Sequence, residues 1–152
     1  MIKRRLQQKS NTTITQIHPY KHGAKRKLPL YSSTVPAGFP SPADDFLDKY
    51  LDLNEHLIKH PAATFFVRVA GNSMIHAGIH SGDILIVDRA EEPKNNSIIV
   101  ALLDREFTVK RIRKSKNELY LIPENGKFKP IKVTDKMDFE VWGVVRYVIH
   151  EV

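Results

Sequence analysis

The chain has no cysteine, so disulfides, thiolate zinc sites, iron–sulfur clusters and cysteine nucleophiles are excluded and any covalent chemistry falls to Ser, Thr or Lys. The string Gly71-Asn72-Ser73-Met74 sets a serine just past an apolar stretch. The glycine beside it lets backbone approach closely, as a nucleophile site requires. It is not a nucleophile elbow, because Ile75 stands where the second glycine belongs, so a serine in an ordinary turn is the competing reading unless a base is found. His76 is near in sequence, but a Ser-His pair needs a third group to orient the imidazole, and no residue pattern nominates one. Lys110, in Glu106-Phe107-Thr108-Val109-Lys110-Arg111-Ile112, would lose solvation and have its pKa lowered if it pointed inward. Pointing outward, it would be an ordinary surface lysine. Residue types alone leave the choice of base open.

Other constellations carry less. His56 and His60 are four apart on a predicted helix and could face one metal, but no third ligand has matching spacing. His76 and His80 are also four apart, in a predicted loop. Neither a metal nor a cofactor is expected. The group Arg111, Arg113, Lys114 and Lys116 reads as a solvated turn, with a phosphate or partner contact as the alternative.

The elements that must position Ser73 and Lys110 are mostly strands. Thr64 to Ala70, Ile84 to Asp88, Ile98 to Leu103, Glu106 to Ile112, Leu119 to Ile122 and Phe139 to Ile149 are apolar, β-branched or aromatic runs. Asp104-Arg105 is a two-residue hairpin connection without the usual glycine. The last run carries Phe139, Val141, Val145, Tyr147 and Ile149 on one face and Trp142, Val144 and Val148 on the other. A strand apolar on both faces is buried on both, in a core or at a subunit interface. Upstream, Phe46, Tyr50, Leu53 and Leu57 recur at helical spacing from Asp44 onward, with Asp52 or Asn54 as a cap and Pro61 as the stop. Val35-Pro36-Ala37-Gly38-Phe39-Pro40-Ser41-Pro42 favours extended, accessible backbone.

The 152 residues allow about one domain, and 41% hydrophobic with 27% charged residues is an ordinary globular mix. The longest apolar run is Ile98 to Leu103, far short of the ~20 residues of a membrane span, and the basic first residues lack the apolar core of a secretory signal. A cytoplasmic protein with no membrane partner is expected. The net charge of +7 is uneven: residues 1–37 hold eight basic side chains and no acidic one, leaving −1 for the rest. This arm, without strand or helix period up to about residue 33, reads as a disordered or extended tail, or as a direct DNA contact through phosphates.

Gly71-Asn72-Ser73-Met74, Gly82-Asp83-Ile84-Leu85-Ile86-Val87-Asp88 and Glu106-Phe107-Thr108-Val109-Lys110 resemble, in order and spacing, motifs of the self-cleaving Ser-Lys peptidases of the LexA group. The similarity runs from Ala37 through about Val145. Phe39-Pro40-Ser41-Pro42-Ala43 and Asp52-Leu53-Asn54 resemble its UmuD-like branch, the accessory subunits of error-prone DNA polymerases. The resemblance implies Ser73 as nucleophile, Lys110 as general base and Ala37-Gly38 as the scissile bond of the chain itself, with the Ser73 and Met74 N–H groups holding the oxyanion. It implies a mostly β fold: a small bent, barrel-like sheet of the LexA and signal-peptidase type with short N-terminal helices. Residues 1–37 would be the arm removed by self-cleavage and 38–152 the catalytic domain. The implied partners are a second copy in a homodimer, a RecA filament on single-stranded DNA and a UmuC-like polymerase subunit. The alternatives are a non-cleaving polymerase- or DNA-binding module, a LexA-type repressor fragment, for which the arm is too short to hold a helix-turn-helix domain, and a signal peptidase acting in trans, which needs a membrane anchor. The family commonly has glycine where this chain has Asn96-Ser97 and Asp104-Arg105, so the hairpin that carries Lys110 must tolerate left-handed backbone at bulkier residues.

Overall fold

In the computed structural model, residues 11–31 and 47–152 are described; the whole proline-rich stretch Val35–Pro42 with Ala37-Gly38, and the start of the expected helix at Asp44, lie outside them. The described residues form two compact units, one of residues 11–20 with 62–152 and one of residues 21–31 with 47–61.

The first unit is a single eight-stranded antiparallel sheet. Its strands are β1 (Thr13–Pro19), β4 (Thr64–Ala70), β5 (Ile84–Asp88), β6 (Ile98–Leu103), β7 (Glu106–Ser115), β8 (Glu118–Ile122), β9 (Ile131–Val133) and β10 (Phe139–Ile149), in the order β1-β4-β5-β10-β6-β7-β8-β9. All six runs read as strands are strands, and the mostly β expectation holds. The long β10 sits between β5 and β6. Its apolar residues divide between a core cluster built on Val67, Val69, Met74, Leu85, Val87 and Val109 and a second built on Ile99, Ala101, Ile112 and Leu121. The face assignment from strict alternation is corrected, however. Register breaks between Val141 and Gly143 and between Val145 and Tyr147 act as bulges, and each extra residue inverts the alternation. Val145 therefore packs with Trp142 and Val148 on the first cluster, while Val144 joins Phe139 and Val141 on the second. Gly143 makes the first break feasible, since a Cβ there would stand 2.6 Å from Val87 Cγ1.

The hairpin that carries Lys110 forms despite its side chains. Asp104 (φ 50) and Arg105 (φ 68) are both left-handed, as a two-residue turn matched to strand twist demands. Asp104 offsets the strain locally: its N–H donates to Asp138 O (2.7 Å) and its Oδ1 accepts from Asp138 N (3.0 Å). Asn96, at φ 71, uses the tolerance of asparagine for this region.

Two expectations about the N-terminal part are overturned. The arm is not without strand: β1 pairs with β4 from Thr13↔Ala70 to Pro19↔Phe65. Nor does the expected helix run through Leu47–Asp52, which form a strand. In the second unit β2 (Lys27–Tyr31) pairs with β3 (Leu47–Asp52), and among its described residues the α-helix is α1 (Leu53–Leu57). Asp52 caps it as expected, its Oδ1 accepting from Asn54 N and Glu55 N while Oδ2 accepts from Arg26 N. These backbone donors hold the Asp52 carboxyl below its ordinary pKa.

Candidate active site

The chain leaves β4 at Ala70 and turns at Gly71, whose φ of 103° is open to glycine and strained for other residues. The next residues are fixed by the segment beyond β8. Ser73 O accepts from Glu124 N (2.8 Å), His76 N donates to Glu124 O (2.9 Å), and Asn125 Nδ2 donates to Asn72 O (2.9 Å). Met74, fully buried in the first core cluster, anchors the turn from below, a burial worth roughly 1.5–3 kcal/mol. Ser73 is thereby held at 0% exposure.

On β7 the register pairs Lys110 with Ile99 of β6, so Thr108, Lys110 and Ile112 share a face. Lys110 is 1% exposed. Its Nζ lies 3.1 Å from Ser73 Oγ, 2.7 Å from Thr108 Oγ1 and 3.1 Å from Val109 O. Burial pushes its pKa down from 10.5 to about 8, because desolvation penalises the ammonium. The contact set suits both charge states. An ammonium donates to all three oxygens. A neutral amine donates to Val109 O and Thr108 Oγ1 and turns its lone pair to the Ser73 hydroxyl.

Of the two candidate bases, Lys110 is the one within hydrogen-bond distance of Ser73 Oγ among the described residues. His76 is exposed and, among the described residues, makes no hydrogen bond to Ser73. Thr108, which sequence reasoning did not single out, is the oxygen nearest Nζ; its place two residues before Lys110 on the same strand face was the available signal. Arg111 pairs with Glu124 and donates to Asn96 O (2.7 Å), tying β7 to the segment that clamps Ser73. It is a structural tie and not part of a solvated turn, whereas Arg113 and Lys114 are exposed.

Residues 29–146 match the family profile described as Peptidase S24-like. The chain belongs to the Peptidase S24-like family. Among the S24-like relatives, protein SamA of Salmonella typhimurium is 42% identical over 135 residues, covering 89% of this chain and 94% of SamA. Protein MucA of Escherichia coli is 41% identical over 132 residues, 85% of this chain and 90% of MucA. The LexA repressor of Shewanella denitrificans is 42% identical over 106 residues, 70% of this chain and 51% of the repressor.

Of the histidine pairs, His56 lies in α1 and His60 beyond its end, so four-residue spacing does not put them on one helical face. His80 instead meets Asp83 and His150, with ligand-type atoms within 4.8 Å of one another and His150 Nδ1 2.7 Å from Asp83 Oδ1. No sequence spacing signals this trio. Asp83 is buried and also accepts from His80 N (2.7 Å), which accounts for it as a structural carboxylate.

Proposed function

We propose that this S24-like chain is a self-cleaving serine endopeptidase of the SOS response to DNA damage, cutting its own Ala37–Gly38 bond with Ser73 as nucleophile and Lys110 as general base. The observation that supports this is a lysine 1% exposed with its Nζ 3.1 Å from a fully buried serine Oγ. Such a group is costly to bury, and its lowered pKa suits proton abstraction near neutrality.

The reaction follows from the contacts. Neutral Lys110 takes the Ser73 proton as Oγ attacks the Ala37 carbonyl carbon, and the oxyanion forms against the Ser73 and Met74 N–H groups. The C–N bond then breaks, the Lys110 ammonium returns its proton to the Gly38 amine, and water hydrolyses the acyl-serine. Val109 O and Thr108 Oγ1 hold the amine in place throughout. Ala37 suits a shallow pocket, Gly38 a tight bend, and Pro36 limits the conformations to be ordered.

In this reading a RecA filament on single-stranded DNA favours the cleavable state, in the cytoplasm. The trimmed body, residues 38–152, acts as a homodimer with a UmuC-like polymerase subunit in translesion synthesis. The basic arm supplies a direct DNA contact before the cut. Intact mass after incubation with activated RecA tests the proposal. Paired fragments split after Ala37 support it; an uncut chain points to the non-cleaving polymerase- or DNA-binding module.

A further inference from the structure

Ser73 has a second neighbour besides Lys110. The N–H of Thr12 donates to Ser73 Oγ at 2.9 Å, and Thr12 is completely buried. Thr12 O accepts from Val109 N (3.0 Å) and from Thr108 Oγ1 (3.4 Å), and Thr13 Oγ1 donates to Phe107 O (2.8 Å). From Thr13 onward the same segment pairs with β4. Residues 11–13 thus bridge β4 and β7 directly over the Ser73–Lys110 pair, in the manner of an extended peptide added to strand edges. They lie outside residues 29–146, which match the family.

We propose, resting on the self-cleavage reading above, that residues 11–13 are an autoinhibitory strap that occupies the peptide-binding cleft and must lift before the scissile segment can reach Ser73. A serine oxygen has two lone pairs. With Lys110 charged, its ammonium takes one and the Thr12 N–H takes the other, so none remains to attack a carbonyl. Thr12 also presents an N–H, not a carbonyl carbon, to Oγ. The strap sits as a blocker and not as a substrate.

The same segment is built to leave. Thr12 Oγ1 is buried with no hydrogen-bond partner among the described residues, which penalises the closed position. A register break between Ile14 and Gln16 separates the strap from the rest of β1, so it can peel away while Gln16 to Pro19 stay paired. Beside it is an open pocket of about 310 Å³ lined by Asn11, Thr13, Phe107 and Thr108 among others, which gives a displaced segment room.

Two substitutions in the full-length chain push the strap in opposite directions. Thr12→Pro deletes the N–H that ties Ser73. Thr12→Val keeps the shape and N–H but replaces the unpartnered hydroxyl by a methyl group. Self-cleavage without activator, followed by intact mass at pH 7, is expected to be about tenfold faster in Thr12→Pro and several-fold slower in Thr12→Val, as removal or strengthening of one buried contact allows. Hydrogen exchange at the Val109 amide, whose acceptor is Thr12 O, should speed up and slow down in parallel. Wild-type cleavage rates in both variants would overturn the strap and leave the self-cleavage reading intact. If no form of the protein cleaves at any pH, the self-cleavage reading falls and Val109 exchange decides the strap alone: faster exchange in Thr12→Pro supports occupancy of the cleft, and unchanged exchange overturns it.

Discussion

The pH dependence of cleavage can be worked out from the burial of Lys110. In an unperturbed lysine only about 0.03% of side chains are neutral at pH 7, and raising the pH to 10 increases that several-hundred-fold. With the pKa at about 8, roughly 9% are neutral at pH 7, half at pH 8 and about 91% at pH 9. Activator-free cleavage should therefore rise about tenfold between pH 7 and 10, with nearly all of the gain below pH 9 and a plateau above it. The assay is the initial rate of appearance of the fragment of residues 38–152, by intact mass or gel densitometry, at half-unit steps of pH. Circular dichroism of Ser73→Ala at each pH checks that the fold persists. A flat profile would remove Lys110 as the limiting base. A rise continuing unbroken through pH 10 would mean that burial has not lowered its pKa, and the desolvation argument would fail.

Further predictions follow from the same contacts. Because the folded-state pKa of Lys110 lies below its unfolded value, the charged form costs stability in full below pH 8, and the cost disappears as pH rises towards 10.5. In a Ser73→Ala background, the protein with Lys110 should gain up to roughly 3 kcal/mol relative to Lys110→Met between pH 7 and 10.5, measured by urea unfolding; parallel pH profiles would contradict this. If the basic arm contacts phosphates, Ser73→Ala protein should bind single-stranded DNA with a log–log salt slope near −0.7 per phosphate neutralised. Replacing Lys3, Arg4, Arg5 and Lys9 by Gln should flatten that slope, by fluorescence anisotropy at about 50 and 200 mM salt; an unchanged slope would make the arm electrostatically inert. Gly143→Val should lower thermal stability sharply, because its Cβ would meet Val87 Cγ1 at 2.6 Å; a wild-type Tm would show that the β10 bulge can shift.

The strands around the site were legible because their apolar runs are dense and their turns well marked. β1 was not, and the reason is specific. Ile14 and Ile17 are three apart, which breaks a two-residue alternation, yet both pack on the first core cluster because the register break between them inverts the faces. The two breaks in β10 scrambled its face assignment in the same way. Tyr50 and Leu53 kept helical spacing while Leu47–Asp52 entered a strand ladder, so pairing with β2 overrode local periodicity. In β7 both faces carry polar residues, and alternation alone could not say whether Lys110 pointed in. The motif resemblance supplied that, and the geometry agrees. The Thr12–Ser73 contact spans 61 residues and the His150–Asp83 contact 67; neither leaves a trace in local spacing.

The central claim, that Ser73 and Lys110 together cut this chain after Ala37, is tested most directly by intact mass of three full-length proteins incubated side by side at pH 9: wild type, Ser73→Ala and Lys110→Arg. The account predicts fragments of residues 1–37 and 38–152 from the wild type alone, since alanine lacks the nucleophile and a guanidinium stays charged and cannot act as base. Those fragments appearing from either variant at the wild-type rate, with all three proteins folded, would contradict it.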